Sequence, residues 1–292
     1  MDNKEQLKWL VAGLGFISPR HIKSIKETGG EIVAVCDIDQ KKSEQPFNFY
    51  NDYRVMIDDY TRWSSSWDTK QYNADAIAIC TPNCLHFDMI QYALDNNLRV
   101  LCEKPLTLNS KEVLELPNDG RVGVVLQLRY HPGVINLKKD IENGYKPKNG
   151  KLVVKVIRDK EYWESWKGDK DKSGGILFNL GIHYFDLLIY LFGEKYEIVE
   201  SSYTDKLAKG IIDFDGIIFS YYIEIQDDKN GQDRRLELDG EVLRLSKKDN
   251  LSFEGLHTEV YKAFNRGEVV TPKEASKSIK LIEQLCLHVQ QL

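Results

Sequence analysis

The segment Lys8-Trp9-Leu10-Val11-Ala12-Gly13-Leu14-Gly15-Phe16-Ile17-Ser18 decides the architecture. An apolar run leads straight into two closely spaced glycines, and a helical stretch with Ile22 and Ile25 on one face follows until Gly29-Gly30 stops it. Ile32-Val33-Ala34-Val35-Cys36 is then an unbroken β-rich run closed by Asp37. This succession is one strand–helix–strand unit. Gly13 permits the tight turn, and Gly15 lets the backbone approach a pyrophosphate at the helix N-terminus. Asp37 stands 22 residues after Gly15. A carboxylate there accepts the adenine-ribose hydroxyls and repels a 2′-phosphate, favouring NAD over NADP. Ser18 occupies the third position of the glycine motif, where it gives up some close packing and can cap the helix. A generic α/β turn shares these glycines, so the weight falls on their context.

Further apolar strands read at Ala76–Cys80 and Arg99–Cys102, with a helix from about His86 to Asn96 between them. Continuous apolar strands separated by amphipathic helices indicate a parallel sheet covered on both faces. The breaker cluster Leu116-Pro117-Asn118-Asp119-Gly120 reads as a boundary between a dinucleotide-binding domain, 1–120, and a second α/β domain, 121–292. Beyond it, strands that read as antiparallel are expected at Val122–Leu128, Leu152–Ile157, Ile198–Tyr203, Gly210–Phe214, Ile217–Ile225, Arg234–Leu238 and Val242–Leu245. Asp239-Gly240 marks a two-residue hairpin between the last pair. Helices are expected from Gly175 to Phe192, Leu256 to Arg266 and Lys273 to Gln290. The fold class is α/β: a Rossmann domain followed by a domain with an open, mostly antiparallel sheet.

The 292 residues exceed what one hydrophobic core normally uses, which agrees with two domains. The formal charge of −5 is spread evenly with no basic block, so no nucleic-acid partner is expected. The first apolar run is too short for a signal segment or a membrane span, and a soluble, cytoplasmic protein is expected with no membrane partner. Five cysteines do not suggest a disulfide framework. Cys80-x-x-x-Cys84-x-His86 resembles half a metal site, but no second cluster completes it and no metal is expected.

Two clusters carry chemistry. Lys104, in Glu103-Lys104-Pro105, follows a buried strand, where an open α/β sheet keeps its ligand crevice. Partial desolvation there eases loss of its proton, making it a candidate acid, base or oxyanion clamp. Asn179, Gly181, His183 and Asp186 lie on the later helix, with Asn179 and His183 four residues apart on one face. A histidine among apolar neighbours is commonly a core residue; beside a cofactor crevice holding a lysine it becomes a candidate general base.

Together Gly13-x-Gly15, Asp37, Thr81-Pro82-Asn83-x-x-His86, Glu103-Lys104-Pro105 and Gly175-x-x-x-Asn179-x-Gly181-x-His183-x-x-Asp186 resemble the Gfo/Idh/MocA oxidoreductases across nearly the whole chain. Within them, Ile17-Ser18-Pro19-Arg20-His21, Leu126-Gln127-Leu128-Arg129-Tyr130-His131, Ser165-Trp166-Lys167-Gly168-Asp169 and Leu256-His257-Thr258 look like the UDP-N-acetyl-2-amino-2-deoxyglucuronate dehydrogenases. The resemblance implies NAD-dependent oxidation of the sugar 3′-hydroxyl, for diacetamido-uronic acids of bacterial surface polysaccharide, and a homotetramer built on the second sheet. It implies Lys104, His183 and Asn179 as catalytic residues. Cofactor contacts are implied for Gly13, Gly15, Phe16, Ile17 and Asp37, for Thr81, Asn83, His86, Glu103 and Lys104, and for Gln127, Trp166 and Lys167. Substrate contacts are implied for Lys104, Asn179 and His183, with Arg129, His131, Arg158, Tyr162 and Lys172 offering cations and an aromatic face to a UDP-sugar. The chain departs from the family in a helix near Ser110 that is cut short at Leu116.

Many members place an aspartate where Asn179 stands, and a neutral amide supports an imidazolium less, leaving open whether Lys104 or His183 is the base. Dehydrogenation of another sugar or polyol, and a non-catalytic NAD-binding regulator, are the competing readings. Strands 211–214 and 217–223 carry apolar residues at odd and even positions, so both faces are expected to be covered, one of them by another subunit.

Overall fold

The structure, a computed structural model, describes residues 6–61, 73–226, 231–245 and 253–288. The first half runs β1 (Lys8–Ala12), α1 (Ser18–Glu27), β2 (Glu31–Cys36), β3 (Asn48–Tyr50), α2 (Tyr53–Thr61), β4 (Ala76–Ile79), α3 (His86–Asp95), β5 (Arg99–Cys102), α4 (Ser110–Glu115) and β6 (Val122–Val124). Its strands form one parallel sheet in the order β3-β2-β1-β4-β5-β6. β4 and β6 are buried at every position, and β1 and β5 at all but their first, so they read as unbroken apolar runs. Strand order reverses between β1 and β4, and the ligand crevice of such a sheet opens beyond the carboxyl ends of its strands there.

The expectation for the strand after the breaker cluster needs correction. The strand read at Val122–Leu128 among the antiparallel set is strand only over Val122–Val124, and it pairs in parallel with β5 as the sixth strand of the first sheet. Gln127–Tyr130 is a 3-10 turn. Breaker residues mark a chain reversal, and they carry no information about which sheet the next strand joins.

The second half contains α5 (Pro132–Glu142), β7 (Asn149–Ile157), α6 (Lys160–Glu164), α7 (Lys170–Ser173), α8 (Ile182–Phe192), β8 (Glu197–Tyr203), β9 (Leu207–Phe214), β10 (Ile217–Gln226), β11 (Asp233–Leu238) and β12 (Glu241–Arg244). The sheet order is β12-β11-β7-β10-β9-β8, antiparallel throughout except for the β7–β10 pair. Asp239 and Gly240 both have positive φ, 48° and 91°, the backbone a two-residue hairpin of this hand requires. Along β10, Phe219, Tyr221 and Ile223 are buried while Ser220, Tyr222 and Glu224 are half-exposed. The inner face packs on α8, with Phe185 against Tyr221 at 5.3 Å and Phe192 against Phe219 at 4.8 Å.

The last helices, α9 (Phe253–Arg266) and α10 (Pro272–Leu287), return to the first half. α9 packs on α1, and α10 packs on α4 and α8. Trp9 of β1 meets Tyr261 and Phe264 of α9 at 5.1 and 5.2 Å between ring centroids. A reciprocal cap between Thr271 and Glu274 starts α10. The expected extension to Gln290 lies outside the described residues. Among those residues, the helical stretch Lys170–Phe192 is apolar enough to cross a bilayer, yet 72% of its apolar window is buried inside the protein, so it serves as core.

Candidate active site

The glycine loop is built by close packing. Gly13 has φ +89°, and a Cβ there would lie 2.8 Å from the main-chain carbon and oxygen of Cys80, so only glycine lets the ends of β1 and β4 meet. Gly15 is exposed, with open space around any added Cβ. Ser18 does not cap α1 as expected: its hydroxyl donates back to the Gly15 carbonyl at 2.8 Å, and Ile17 takes the cap position without a side-chain bond. No side chain caps α1; in its first turn the Ser18 and Arg20 N–H groups bond the Gly15 and Ile17 carbonyls and Pro19 carries none, so a pyrophosphate would meet the glycine loop ahead of the helix.

Asp37 closes β2 beside this loop. Its carboxylate accepts the Leu14 and Asp39 N–H groups at 2.7 and 2.9 Å and the Lys42 ammonium at 2.9 Å. Burial alone would raise its pKa, but these bonds together hold it below the ordinary aspartate value, so it is an anion. Loop, helix terminus and anion fit a dinucleotide. Lys42 carries no sequence signal as part of this site, being an exposed-looking lysine in a charged turn.

Three implied cofactor contacts have buried side chains that bond within the protein. His86 is fully buried, its ring nitrogens 2.8 Å from the Pro105 carbonyl and 3.0 Å from that of Thr81, so it pins the loops after β4 and β5 together. Asn83 is buried and donates to the Ser173 carbonyl at 2.8 Å, tying that loop to the second half. Glu103 sends its carboxylate to His21, 2.8 Å away. Gln127 is buried with its side-chain oxygen lacking a hydrogen-bond partner among the described residues, as a ligand contact would leave it.

Lys104 lies between the halves. Its Nζ donates to the main-chain carbonyl of Asn179 at 2.8 Å. Asn179 falls in a π-helical turn, Leu177–Gly181, that interrupts the expected continuous α-helix just before α8. Wide turns of this kind recur at functional sites. Because of it, Asn179 presents its backbone to the lysine while its side-chain amide donates to the Tyr162 hydroxyl at 2.9 Å. His183 follows, with Nδ1 buried and lacking a hydrogen-bond partner among the described residues.

Burial pulls the Lys104 pKa down to about 8, with Glu103 opposing the fall and Lys167 and Arg158 adding to it. Burial, and then the charge of Lys104, hold His183 well below the usual histidine value, so its ring is neutral at neutral pH. The rest of the wall follows from ring contacts. The Arg158 guanidinium lies 5.2 Å from the Tyr162 ring, and the Lys167 ammonium 5.3 Å from that of the exposed Phe16 and 5.9 Å from that of Trp166.

Three implied substrate residues have partners within the protein. Arg129 is buried, holding both oxygens of Asp186 at 2.9 and 2.7 Å and Glu274 at 2.9 Å, so its guanidinium locks α8 and α10 to the 3-10 turn. His131 is buried and accepts the Gly133 N–H at 3.2 Å, capping α5. Lys172 is exposed and pairs with Asp169 at 3.1 Å on the surface.

A parallel dinucleotide-binding sheet, joined to an antiparallel-sheet domain through a lysine facing a histidine-bearing helix, defines a nucleotide-dependent oxidoreductase. The oxidoreductase family model with an NAD-binding Rossmann fold matches residues 7–118, and that of the family's C-terminal alpha/beta domain matches 138–215. The chain belongs to the Gfo/Idh/MocA oxidoreductase family. It is similar to the WlbA (WbpB) dehydrogenase of Thermus thermophilus solved with NAD and α-ketoglutarate: 32% identity, TM-score 0.86, covering 98% of this chain and 97% of that one. The same dehydrogenase solved with NAD and UDP-GlcNAcA gives 30% identity and a TM-score of 0.83, over 98% and 96% of the two chains. An inositol 2-dehydrogenase of Salmonella paratyphi B is 25% identical over 209 residues, 66% of this chain and 57% of that relative. The chain thus spans little more than half the length of the curated relatives it first matches.

Proposed function

We propose that this chain is an NAD-dependent dehydrogenase of a sugar nucleotide, oxidising the 3′-hydroxyl of UDP-N-acetylglucosaminuronic acid to the 3-keto sugar. The observation that carries the reading is the pairing of the Lys104 ammonium, bonded to Asn179, with a neutral His183 at the mouth of a dinucleotide crevice. Near full-length similarity to an enzyme solved with UDP-GlcNAcA supports this substrate. So does the wall of Arg158, Tyr162, Trp166 and Lys167, where cations suit a diphosphate and a uronate and rings suit a sugar face.

Bound NAD supplies the hydride acceptor. Asp37 would hold the adenine ribose, and the loop from Gly13 to Gly15 ahead of α1 would hold the pyrophosphate. His183, being neutral, accepts the proton from the reacting hydroxyl, while Lys104, charged at neutral pH, holds the oxygen as its negative charge develops. Asn179 fixes the lysine through its carbonyl and orients Tyr162 through its amide.

A second reading, oxidation of inositol or another polyol, is favoured by the similarity to the Salmonella enzyme. A regulator that binds NAD without turnover would need neither Lys104 nor His183. The test is a panel of UDP-GlcNAcA, UDP-glucuronate, UDP-GlcNAc and myo-inositol, followed by NADH absorbance with and without a 2-oxo acid. Turnover confined to UDP-GlcNAcA is the expected result. Turnover of myo-inositol alone would establish the second reading, and NAD binding without turnover of any compound the third.

We further propose a homotetramer assembled through the outer face of the second sheet, where Ile218, 41% exposed, and the half-exposed Tyr222 face away from α8.

A further inference from the structure

Two hydrogen bonds tie the second half of the chain to the loops after β4 and β5. Asn83 donates to the Ser173 carbonyl and Lys104 to that of Asn179, both at 2.8 Å. A further contact across the crevice is made of rings. The Lys167 ammonium lies 5.3 Å from the ring centroid of Phe16, 5.9 Å from that of Trp166 and 6.0 Å from that of Tyr162. Three aromatic rings around one ammonium form a cation–π cage. Tyr162 and Trp166 stand in α6 and just after it, on the same segment as the lysine, while Phe16 comes from the glycine loop of the first half.

The two sides of this cage are held very differently. On the second half, Asp159 caps α6 and Asp169 caps α7. The Ser165 hydroxyl donates to the Tyr162 carbonyl at 2.7 Å, and Asn179 donates to the Tyr162 hydroxyl at 2.9 Å. A Cβ on Gly168 would lie 2.2 Å from the main-chain oxygen of Trp163, so the segment folds tightly on itself. Lys170 pairs with Asp205, and Lys206 lies 5.8 Å from the Trp163 ring, fastening the segment to the turn between β8 and β9. Phe16, by contrast, is 77% exposed. Its ring meets two cations, Lys167 and the Arg20 guanidinium, the latter at 5.6 Å. With so little packing around it, the ring takes its place chiefly from those cations. Two cations sharing one ring repel each other, and an anion beside them relieves that repulsion. The glycine loop that carries Phe16 is where a dinucleotide would bring its pyrophosphate, so binding tightens the contact.

We propose that Phe16 and Lys167 form a latch across the cofactor crevice. In it Phe16 is a positioning residue: its ring seats the lysine against the glycine loop and so slows the release of a bound dinucleotide. This role rests on dinucleotide binding and is independent of which alcohol is oxidised.

The test is the release rate of NADH, read in a stopped-flow instrument as the loss of bound-NADH fluorescence when the loaded full chain meets excess NAD. Phe16→Leu keeps an apolar side chain and removes the aromatic face, and release should quicken about fivefold, the scale of one cation–π contact. Lys167→Met removes the cation and should quicken release at least as much. Phe16→Trp and Lys167→Arg keep the ring and the charge and should release NADH at close to the wild-type rate, which a space-filling role would not require. The deciding comparison is the double variant. Phe16→Leu placed on Lys167→Met should add nothing further, because the ring has already lost its cation. Equal quickening by Phe16→Leu with and without Lys167 would mean that the ring acts on the cofactor by itself, and would overturn the latch. An unchanged release rate in Phe16→Leu would overturn it as well. Should Lys167→Met not fold, Phe16→Trp decides: release as fast as in Phe16→Leu overturns the latch, and release at the wild-type rate upholds it.

Discussion

The Lys104 ammonium and the main-chain carbonyl of Asn179 meet at 2.8 Å, joining the loop after β5 to the π turn before α8. The first sheet and the second-domain helix are thereby joined. A cation that would otherwise sit partly desolvated without a partner gains an acceptor, and the turn gains a donor for its carbonyl.

Lys104→Ala and His183→Ala should each lower kcat by roughly 10²-fold or more while leaving NAD affinity largely intact, as expected of groups acting on one proton transfer. The double variant should lose less than the product of the two singles. Steady-state kinetics with NAD titrations checks this, and multiplying losses would argue against a shared site.

The pH dependence distinguishes the two roles. Lys104, with its pKa lowered to about 8, is charged below that pH and loses its ammonium as pH rises through it. His183, held well below its usual value, stays neutral through the same window. Initial-rate kcat/KM should therefore fall above about pH 8. A rate that climbs through that pH would instead make Lys104 the base.

Asp37 should make NAD bind far more tightly than NADP, because a 2′-phosphate would face a carboxylate. Asp37→Ala should narrow the preference from both sides, since Lys42, bonded to Asp37 at 2.9 Å, would then be left without that anion. Fluorescence titration reads the two affinities, and equal wild-type values would refute the assignment.

Arg129 is expected to matter for stability rather than substrate. Arg129→Ala leaves the buried Asp186 carboxylate without its bidentate partner and should cost about 3–5 kcal/mol in chemical denaturation. Unchanged stability with a raised KM for the sugar would restore a binding role.

Oligomer state tests the outer face of the second sheet. Light scattering should give a mass near four chains, and Tyr222→Asp, which places a charge on that face, should lower it. A wild-type mass near one chain at micromolar concentration would contradict the assembly.

What the sequence made legible follows from locality. β1 and β5 match their expected ranges because apolar runs and glycine stops are local signals. Lys104 and His183 stood out as candidates through their place at a strand end and on a helix. The ion pairs of Arg129 were not legible because its carboxylate partners lie 57 and 145 residues away, so the sequence displays a cation without its neutralising anions. The same distance hid the surroundings of Glu103, whose histidine neighbours, His21 and His257, come from α1 and α9. The π turn escaped because the partners that Asn179 meets there, Lys104 and Tyr162, lie 75 and 17 residues away in the sequence.

The central claim is hydride transfer from sugar C3 to NAD at the Lys104–His183 site. It is tested most directly with UDP-GlcNAcA deuterated at C3, by mass spectrometry of the reduced cofactor. The account predicts one deuterium on the nicotinamide in the wild type and a strongly reduced yield in Lys104→Ala and His183→Ala. Turnover that forms unlabelled NADH, or labelled NADH at wild-type yield in both variants, would contradict it.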